Sequence, residues 1–420
     1  MTRVSIIGGG AAGLLAGIAA ASNGAKVTIY EKMRQPGKKM LITGKGRCNI
    51  TNVCELQEFI KNIPGNGRFL NSALRGFTNT DMVELLESHG LATKVERGGR
   101  IFPVSDLAKD VVNKLVEIFD SVGGKLVTDC KVHSIVVKDG KALGVKTVNG
   151  FYASDAVILC AGGASYPGTG SNGEGAKMAA EVGHTIVELK PSLIPLESDY
   201  PYVDDLQGLS LRNVEGTLMI DGKKAATEFG EMLFTHFGVS GPIVLSLSNK
   251  ASQALAQGKE VELVIDLKPA LNIEKLDARV QRDFAMYSRK QLVNGMKDLL
   301  PQRLIPVVLD MAYLDENKYV NQISREERQR LVNTLKNYVV PITKTRPLAE
   351  AIVTQGGVSV KEINPKTMES KLIKGLYFAG EVMDVDGYTG GFNLQAAFSS
   401  GYAAGTAAAQ DNYNDEGEEE

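Results

Sequence analysis

The chain has 420 residues, of which 43% are hydrophobic, and a formal charge of −2 at pH 7. This length supports two or three packed domains. The near-neutral balance removes any global electrostatic footprint for nucleic acid or an anionic membrane, while leaving a local basic patch open. Forty-five glycines, no tryptophan and 6% aromatic residues indicate many tight turns and close backbone approaches, as in nucleotide-binding α/β proteins.

The first 32 residues include "RVSIIGGGAAGLLAGIAAASNGAKVTIYEK", which reads as strand, glycine turn, helix closed at Asn23-Gly24, and second strand. Residues 4–25 are uncharged and long enough to imitate a signal peptide or membrane span. The Gly8-Gly9-Gly10 run and the lack of a basic lead beyond Arg3 favour the strand-turn-helix instead. Helical patterns follow near residues 80–90 and 106–120, the second with Leu107, Val111, Leu115 and Ile118 on one face. Asp139-Gly140 and Asn149-Gly150 mark hairpin turns. From about 193 to 268 the runs are short and β-like, with a turn at Asp221-Gly222. Residues 271–337 are helical and highly charged, with a capping box at Ser324-x-x-Glu327. A short strand at 376–380 and a small-residue helix, "LQAAFSSGYAAGTAAA", close the fold, and the acidic "DNYNDEGEEE" reads as a solvated tail. Cys48, Cys54, Cys130 and Cys160 form no CxxC pair, so no metal site or disulfide framework is expected. A reducing, cytoplasmic location is expected.

Gly8-x-Gly10-x-x-Gly13 sits between a strand and a helix, the context that makes this pattern informative. Gly8 permits the sharp turn, Gly10 leaves room for a pyrophosphate, and Gly13 lets helix meet strand, while Ala11 and Ala12 open the helix whose free N–H groups attract phosphate. Glu31 ends the second strand, placed to accept hydrogen bonds from an adenosine ribose and to repel a 2′-phosphate. This motif serves NAD and FAD alike. The stretch "YFAGEVMDVDGYTGGFNLQAAFSSG" separates them: Glu381 at a strand end suits the ribityl hydroxyls of a flavin, and Gly390-Gly391 opens a helix whose positive end suits its pyrimidine edge. A helix that is merely close-packed is the bland alternative.

With "IIGGGAAG", "GKKMLITGKGRCNITN", "CAGGASYPGTGSNGEG", "GEMLFTHFGVSGP", "VTQGGVSVKEINPKTMESK" and this last block in order along most of the chain, the sequence resembles the BaiN-like NAD(P)/FAD-dependent oxidoreductases, which are more distantly related to fumarate reductase and aspartate oxidase flavoproteins. The resemblance implies an α/β fold in which a Rossmann-like FAD-binding domain (1–190 and 345–412) is interrupted by a β-barrel-like domain (191–270 and 338–344) and a small helical domain (271–337), with the tail at 413–420. It implies FAD contacts at Gly8, Gly10, Ala12, Gly13, Glu31 and Lys32, with Val132 beside the adenine and Ala161 and Gly162 near the pyrophosphate. At the flavin end it adds Arg47, Cys48, Asn49, Gly380, Glu381, Asp386, Gly391, Asn393 and Leu394. Lys45 stands where the family more often has glycine.

The chemistry expected from the flavin is reduction of a C=C bond conjugated to a carbonyl, with NAD(P)H as a transient electron donor because no second GxGxxG unit stands in a strand-helix context. The resemblance implies a small-molecule substrate or an RNA base such as uracil in ribosomal RNA; a non-catalytic flavin-binding redox sensor is the reading from another class. His236 is the candidate proton donor, against a histidine that only bonds neighbouring backbone. Cys48 could pack on the flavin or act with Cys54, though five residues separate them rather than the four of flavin disulfide reductases. Lys38, Lys39, Lys45 and Arg47 concentrate charge in ten residues, suited to the FAD pyrophosphate, a phosphate of NAD(P)H or RNA, with Lys39 counted among the cofactor contacts and a solvated loop as the alternative.

Overall fold

The computed structural model describes residues 1–410, so the acidic stretch at 413–420 lies outside the described residues. The chain divides into two compact units, one made of Met1–Ser192 and the chain from Leu348 onward, the other of Leu193–Pro347.

The first unit is built on a five-stranded parallel sheet in the order Leu376–Phe378, Ala156–Leu159, Arg3–Ile7, Lys26–Tyr30 and Lys125–Val127. All four residues of Ala156–Leu159 are buried, as a parallel strand covered on both faces requires. Residues 4–25 form the strand and the helix Ala11–Ser22, not a span; no helix among the described residues is long and apolar enough to cross a membrane. From the first strand the sheet grows outward in one direction through Lys26–Tyr30 and Lys125–Val127, and in the other through Ala156–Leu159. The reversal lies between Arg3–Ile7 and Ala156–Leu159, and ligands of such sheets collect beyond the carboxyl ends of those strands.

Helices Asn79–Ser88 and Ala108–Ser121 occur where the apolar spacing places them, the second burying Val111, Leu115 and Ile118. Asp139-Gly140 joins Val132–Lys138 to Lys141–Thr147, which pairs in turn with Gly150–Ala153. The stretch "YASDAVILCAGG" contributes to two sheets. It breaks at Ser154-Asp155, so that residues up to 153 join the hairpin sheet and Ala156–Leu159 joins the main sheet.

The C-terminal helix Phe392–Gln410 lies on the N-terminal helix Ala11–Ser22. A Cβ at Gly401 would stand 2.3 Å from the Ala12 carbonyl oxygen, and one at Gly405 would stand 2.1 Å from that of Ala16. Both partners are backbone and cannot rotate away. Thr2 Oγ1 donates to the Ala409 carbonyl at 3.2 Å, tying the two ends together.

The second unit holds a seven-stranded antiparallel sheet, ordered Tyr338–Ile342, Val261–Asp266, Ser210–Ile220, Lys223–Thr235, Gly238–Ser240, Leu196–Glu197 and Lys344–Thr345. The sheet runs from one edge to another, so the expected barrel is not closed, although both edges come from adjacent stretches of chain. The β-like region also contains a 15-residue helix, Pro242–Ala256. Proline at its first position is pre-set for a helix, and Ile243, Val244, Leu247, Ala251 and Ala254 line its buried side. Beyond it lie helices Ile273–Met286, Ile305–Met311 and Arg325–Lys336, the last opened by the capping box at Ser324 and Glu327. One apolar cluster runs through sheet and helices together, from Leu218 and Leu263 to Leu276 and Leu331.

Gly405→Val should cost at least about 2 kcal/mol, the scale of overpacking against atoms that cannot rearrange. Urea unfolding followed by far-UV circular dichroism reads it, and a midpoint equal to that of the unaltered protein would contradict the close helix contact.

Candidate active site

At the sheet reversal Gly8 takes φ +103°, and its amide donates to the Tyr30 carbonyl at 2.9 Å. A Cβ there would lie 2.6 Å from the Cys160 carbonyl oxygen, and one at Gly13 would lie 1.9 Å from that of Gly8. Gly10 differs, because a Cβ on it would meet nothing within 4 Å. Its open side is bordered by the amides of Ala11, Ala12 and Gly13 in the first helical turn, which have no carbonyl within the helix to bond. That combination fits a pyrophosphate.

Glu31 is buried, and its two oxygens accept from the amides of Gly9 and Met33, each at 2.8 Å. The carboxylate therefore braces the glycine turn, and only its remaining lone pairs are left for a ribose. Lys32 donates to Asn172 and Glu174, and Lys131 reaches the other oxygen of Glu174. Burial pushes the Glu174 carboxyl up, but hydrogen bonds from Lys131 and Lys32 outweigh it and hold it near about 2. Val132 is buried at the start of the next strand, and Ala161 and Gly162 leave the end of Ala156–Leu159, Gly162 in the left-handed region at φ +71°.

The second cluster centres on Glu381, just past the end of Leu376–Phe378. One oxygen accepts from the Thr354 amide at 2.8 Å, and the other accepts from Lys39 Nζ and, at 3.4 Å, from the Gly163 amide. Lys39 also donates to the buried Ser165 hydroxyl at 2.7 Å. Gly380 before it has φ +75°, and a Cβ there would stand 2.9 Å from that of Ala12, so the two glycine-rich segments touch. Asn49 bridges to the third segment: its amide group donates to the Thr51 carbonyl at 3.2 Å and accepts from Gly391 N at 3.0 Å. Gly391, at φ +99°, lies against the Thr51 backbone, where a Cβ would come within 2.5 Å. Asn393 holds the loop before the helix by exchanging bonds with Gly387 and donating to the Tyr388 carbonyl. Leu394 follows in the first turn, partly buried.

Other expected residues take different parts. Arg47 is paired with Glu96 at 2.8 Å and Asp106 at 3.3 Å and lies 4.1 Å over the Phe102 ring, so its charge is already answered. Cys48 is fully buried, and desolvation pushes its thiol up to about 12 against a weaker bond to Thr43. It is therefore a packed thiol and no thiolate near neutrality. All four cysteines are free, which leaves no disulfide between Cys48 and Cys54. Lys45 takes φ 60°, ψ 42°, the left-handed conformation glycine adopts without penalty, so the loop keeps a glycine-like shape with a lysine in it. His236 is in the second unit, exposed in the turn after Lys223–Thr235, with Phe237 edge-on at 4.9 Å.

Ser165, Thr354 and Glu174 complete these networks without any local sequence signal, because their partners lie from 27 to 216 residues away. Two buried oxygens in these segments, Thr51 Oγ1 and Asp386 Oδ1, have no partner. The open face at Gly10 and these unsatisfied atoms fit a long dinucleotide with a polar ring system at one end.

Asp386 is 2% exposed and accepts from the Ser192 hydroxyl at 2.7 Å. Burial raises its carboxyl above the ordinary aspartate range, opposed by Ser192 and reinforced by Asp384 and Glu381. A raised folded-state value means stability present below the unfolded value and lost as pH rises through the folded one. Asp386→Asn should therefore be more stable than the unaltered protein at pH 7, the gap closing as pH falls toward about 4. Thermal melts across that window read it, and a gap that stays constant or widens toward acid would show that folding does not raise the Asp386 carboxyl.

The model of the HI0933-like protein Rossmann domain matches residues 2–407. The chain is 32% identical to the 3-dehydro-bile acid delta(4,6)-reductase of Clostridium scindens, over 98% of this chain and all of that one. It is also 32% identical to the ribosomal RNA dihydrouridine synthase of Escherichia coli, over 95% of this chain and 96% of that one. Among solved structures, a 3-ketosteroid-delta4-(5alpha)-dehydrogenase from Rhodococcus jostii RHA1 superimposes with a TM-score of 0.53 at 15% identity, covering 97% of each chain, a likeness of fold.

Proposed function

The chain belongs to the HI0933-like protein Rossmann-domain family and is an FAD-dependent oxidoreductase, and on that footing we propose that it reduces a carbon–carbon double bond conjugated to a carbonyl, with NADH or NADPH as electron donor. One observation carries the proposal. At the carboxyl edge of a single parallel sheet, an open glycine turn at Gly10 and a fixed carboxylate at Glu381 follow two parallel strands. Similarity along the whole chain to a delta(4,6)-reductase of a 3-dehydro-bile acid supports the reaction class.

When bound, the flavin supplies the hydride. In this reading the first unit is the FAD-binding domain and the second unit serves the substrate. The amides of Ala11, Ala12 and Gly13 would hold the pyrophosphate, with Glu31, Lys32 and Val132 at the adenosine end and Ala161 and Gly162 behind the phosphates. Glu381, held by Lys39, would take the ribityl hydroxyls. Asn49, Gly391 and the first turn beginning at Phe392 would face the pyrimidine edge, where the positive helix end favours negative charge. Cys48 contributes a dry packed surface, and a ring nitrogen of His236 delivers the proton to the substrate carbon that does not receive hydride.

The second reading keeps the chemistry and changes the substrate. Uracil carries a double bond conjugated to a carbonyl, and 32% identity to the Escherichia coli ribosomal RNA dihydrouridine synthase favours it.

Anaerobic titration of the purified yellow protein with NADH and then NADPH should bleach the flavin absorbance, and a 4-en-3-one steroid or unmodified ribosomal RNA should restore it. The acceptor that restores it selects the reading; a flavin that neither donor bleaches, or that neither acceptor reoxidises, refutes the proposal. His236→Gln should keep its flavin content and lose about 10²- to 10⁴-fold in turnover, the range of a general acid. Full turnover in that variant would remove His236 from the chemistry.

A further inference from the structure

We propose that Thr354 is a positioning residue for the flavin end of the cofactor, acting through the 163–165 loop to hold the Glu381 carboxylate in one orientation; the inference rests on the reading that Glu381 receives the ribityl hydroxyls. Thr354 lies in the strand Val353–Val358 and is fully buried. Its hydroxyl oxygen accepts from the amides of Ala164 at 2.8 Å and Ser165 at 3.1 Å. Its own amide donates to Glu381 at 2.8 Å. One residue therefore fixes both the carboxylate and the loop that surrounds it.

The loop passes that constraint on. Gly163 brings its amide to within 3.4 Å of the second Glu381 oxygen, an approach only glycine allows. A Cβ there would stand 2.5 Å from Thr354 Oγ1 and 3.1 Å from the Glu381 carboxyl carbon. Ser165 sits between Lys39, which donates to it at 2.7 Å, and Glu381, whose nearer oxygen lies 3.4 Å from its hydroxyl. A carboxylate restrained by two amides and an ammonium cannot swing to follow a ligand. It must already point where the hydroxyls arrive, which lowers the ordering cost of binding.

The side chain that achieves this needs an oxygen with two free lone pairs and a methyl that fills the strand's buried face. Valine keeps the shape and removes the oxygen, leaving the buried Ser165 amide and the partly buried Ala164 amide without that partner. Serine keeps the oxygen and loses only the methyl.

The test strips FAD from the full-length protein and titrates each apoprotein with FAD and, separately, with ADP, which reports the adenosine half alone. Thr354→Val should weaken FAD binding about ten- to a hundred-fold with ADP affinity unchanged, and Thr354→Ser should restore FAD binding. FAD affinity equal to that of the unaltered protein in Thr354→Val, or equal losses for FAD and ADP, overturns the inference. If Thr354→Val does not fold, Ser165→Ala, which keeps Thr354 and both amide bonds, takes its place. It should weaken FAD about five-fold with ADP unchanged, and an unaltered FAD affinity there overturns the inference. An unaltered apoprotein that takes up ADP but no FAD refutes the flavin reading itself.

Discussion

The structure of the first unit depends on the near-contact of two helices, Ala11–Ser22 and Phe392–Gln410, through glycine. Gly401 and Gly405 lie four residues apart, one helical turn, and each meets a backbone carbonyl one turn apart on the opposing helix, at Ala12 and Ala16. The approach removes side-chain volume from the interface and so brings the backbones together. Because the first helix begins at the Gly8–Gly13 turn and the last begins just after the Glu381 segment, their registry sets the spacing between those two segments. Gly380 against Ala12 is the same contact carried one step toward the site.

The polar parts of the site are arranged by residues whose charges are satisfied before any ligand enters. Glu31 takes two amides, Glu174 two lysines, and Glu381 two amides and Lys39. Charges this enclosed would be expensive if unpaired, and paired they are directional. The exceptions are informative by contrast: Gly10 faces open space, and Thr51 and Asp386 keep unpartnered oxygens. A site that is saturated around its rim and unsaturated at a few points is one that can accept a ligand without first breaking its own bonds.

Local features were legible in the sequence wherever a short-range rule governs them. The strand, turn and helix of residues 3–30 follow from glycine spacing and apolar runs, the hairpin at Asp139-Gly140 from turn chemistry, and the cap at Ser324 and Glu327 from its four-residue pattern. The expected barrel missed because strand count and alternation do not say whether a sheet's edges meet. The helix Pro242–Ala256 was hidden among β-like runs because "IVLSLS" alternates as a strand does. Arg47 was expected at the flavin end as part of a basic stretch, and its ion pairs with Glu96 and Asp106, about fifty and sixty residues on, left no local signal. Thr354 and Ser165 left no trace, since a threonine in a buried strand is ordinary until its partners 190 residues away are known.

These long-range ties carry a thermodynamic consequence. The Glu381 network joins residues 39, 163–165, 354 and 381, and the helix pair joins both ends of the chain, so the site exists only when the whole first unit is folded. Such a site has little affinity for a ligand in the unfolded chain, so a ligand that binds the folded one stabilises it by an amount that grows with the logarithm of its concentration above Kd. Closure of loops this long costs entropy that grows only slowly with their length. A few well-satisfied polar contacts and one glycine-lined helix seam therefore suffice to hold together segments that lie at opposite ends of the sequence.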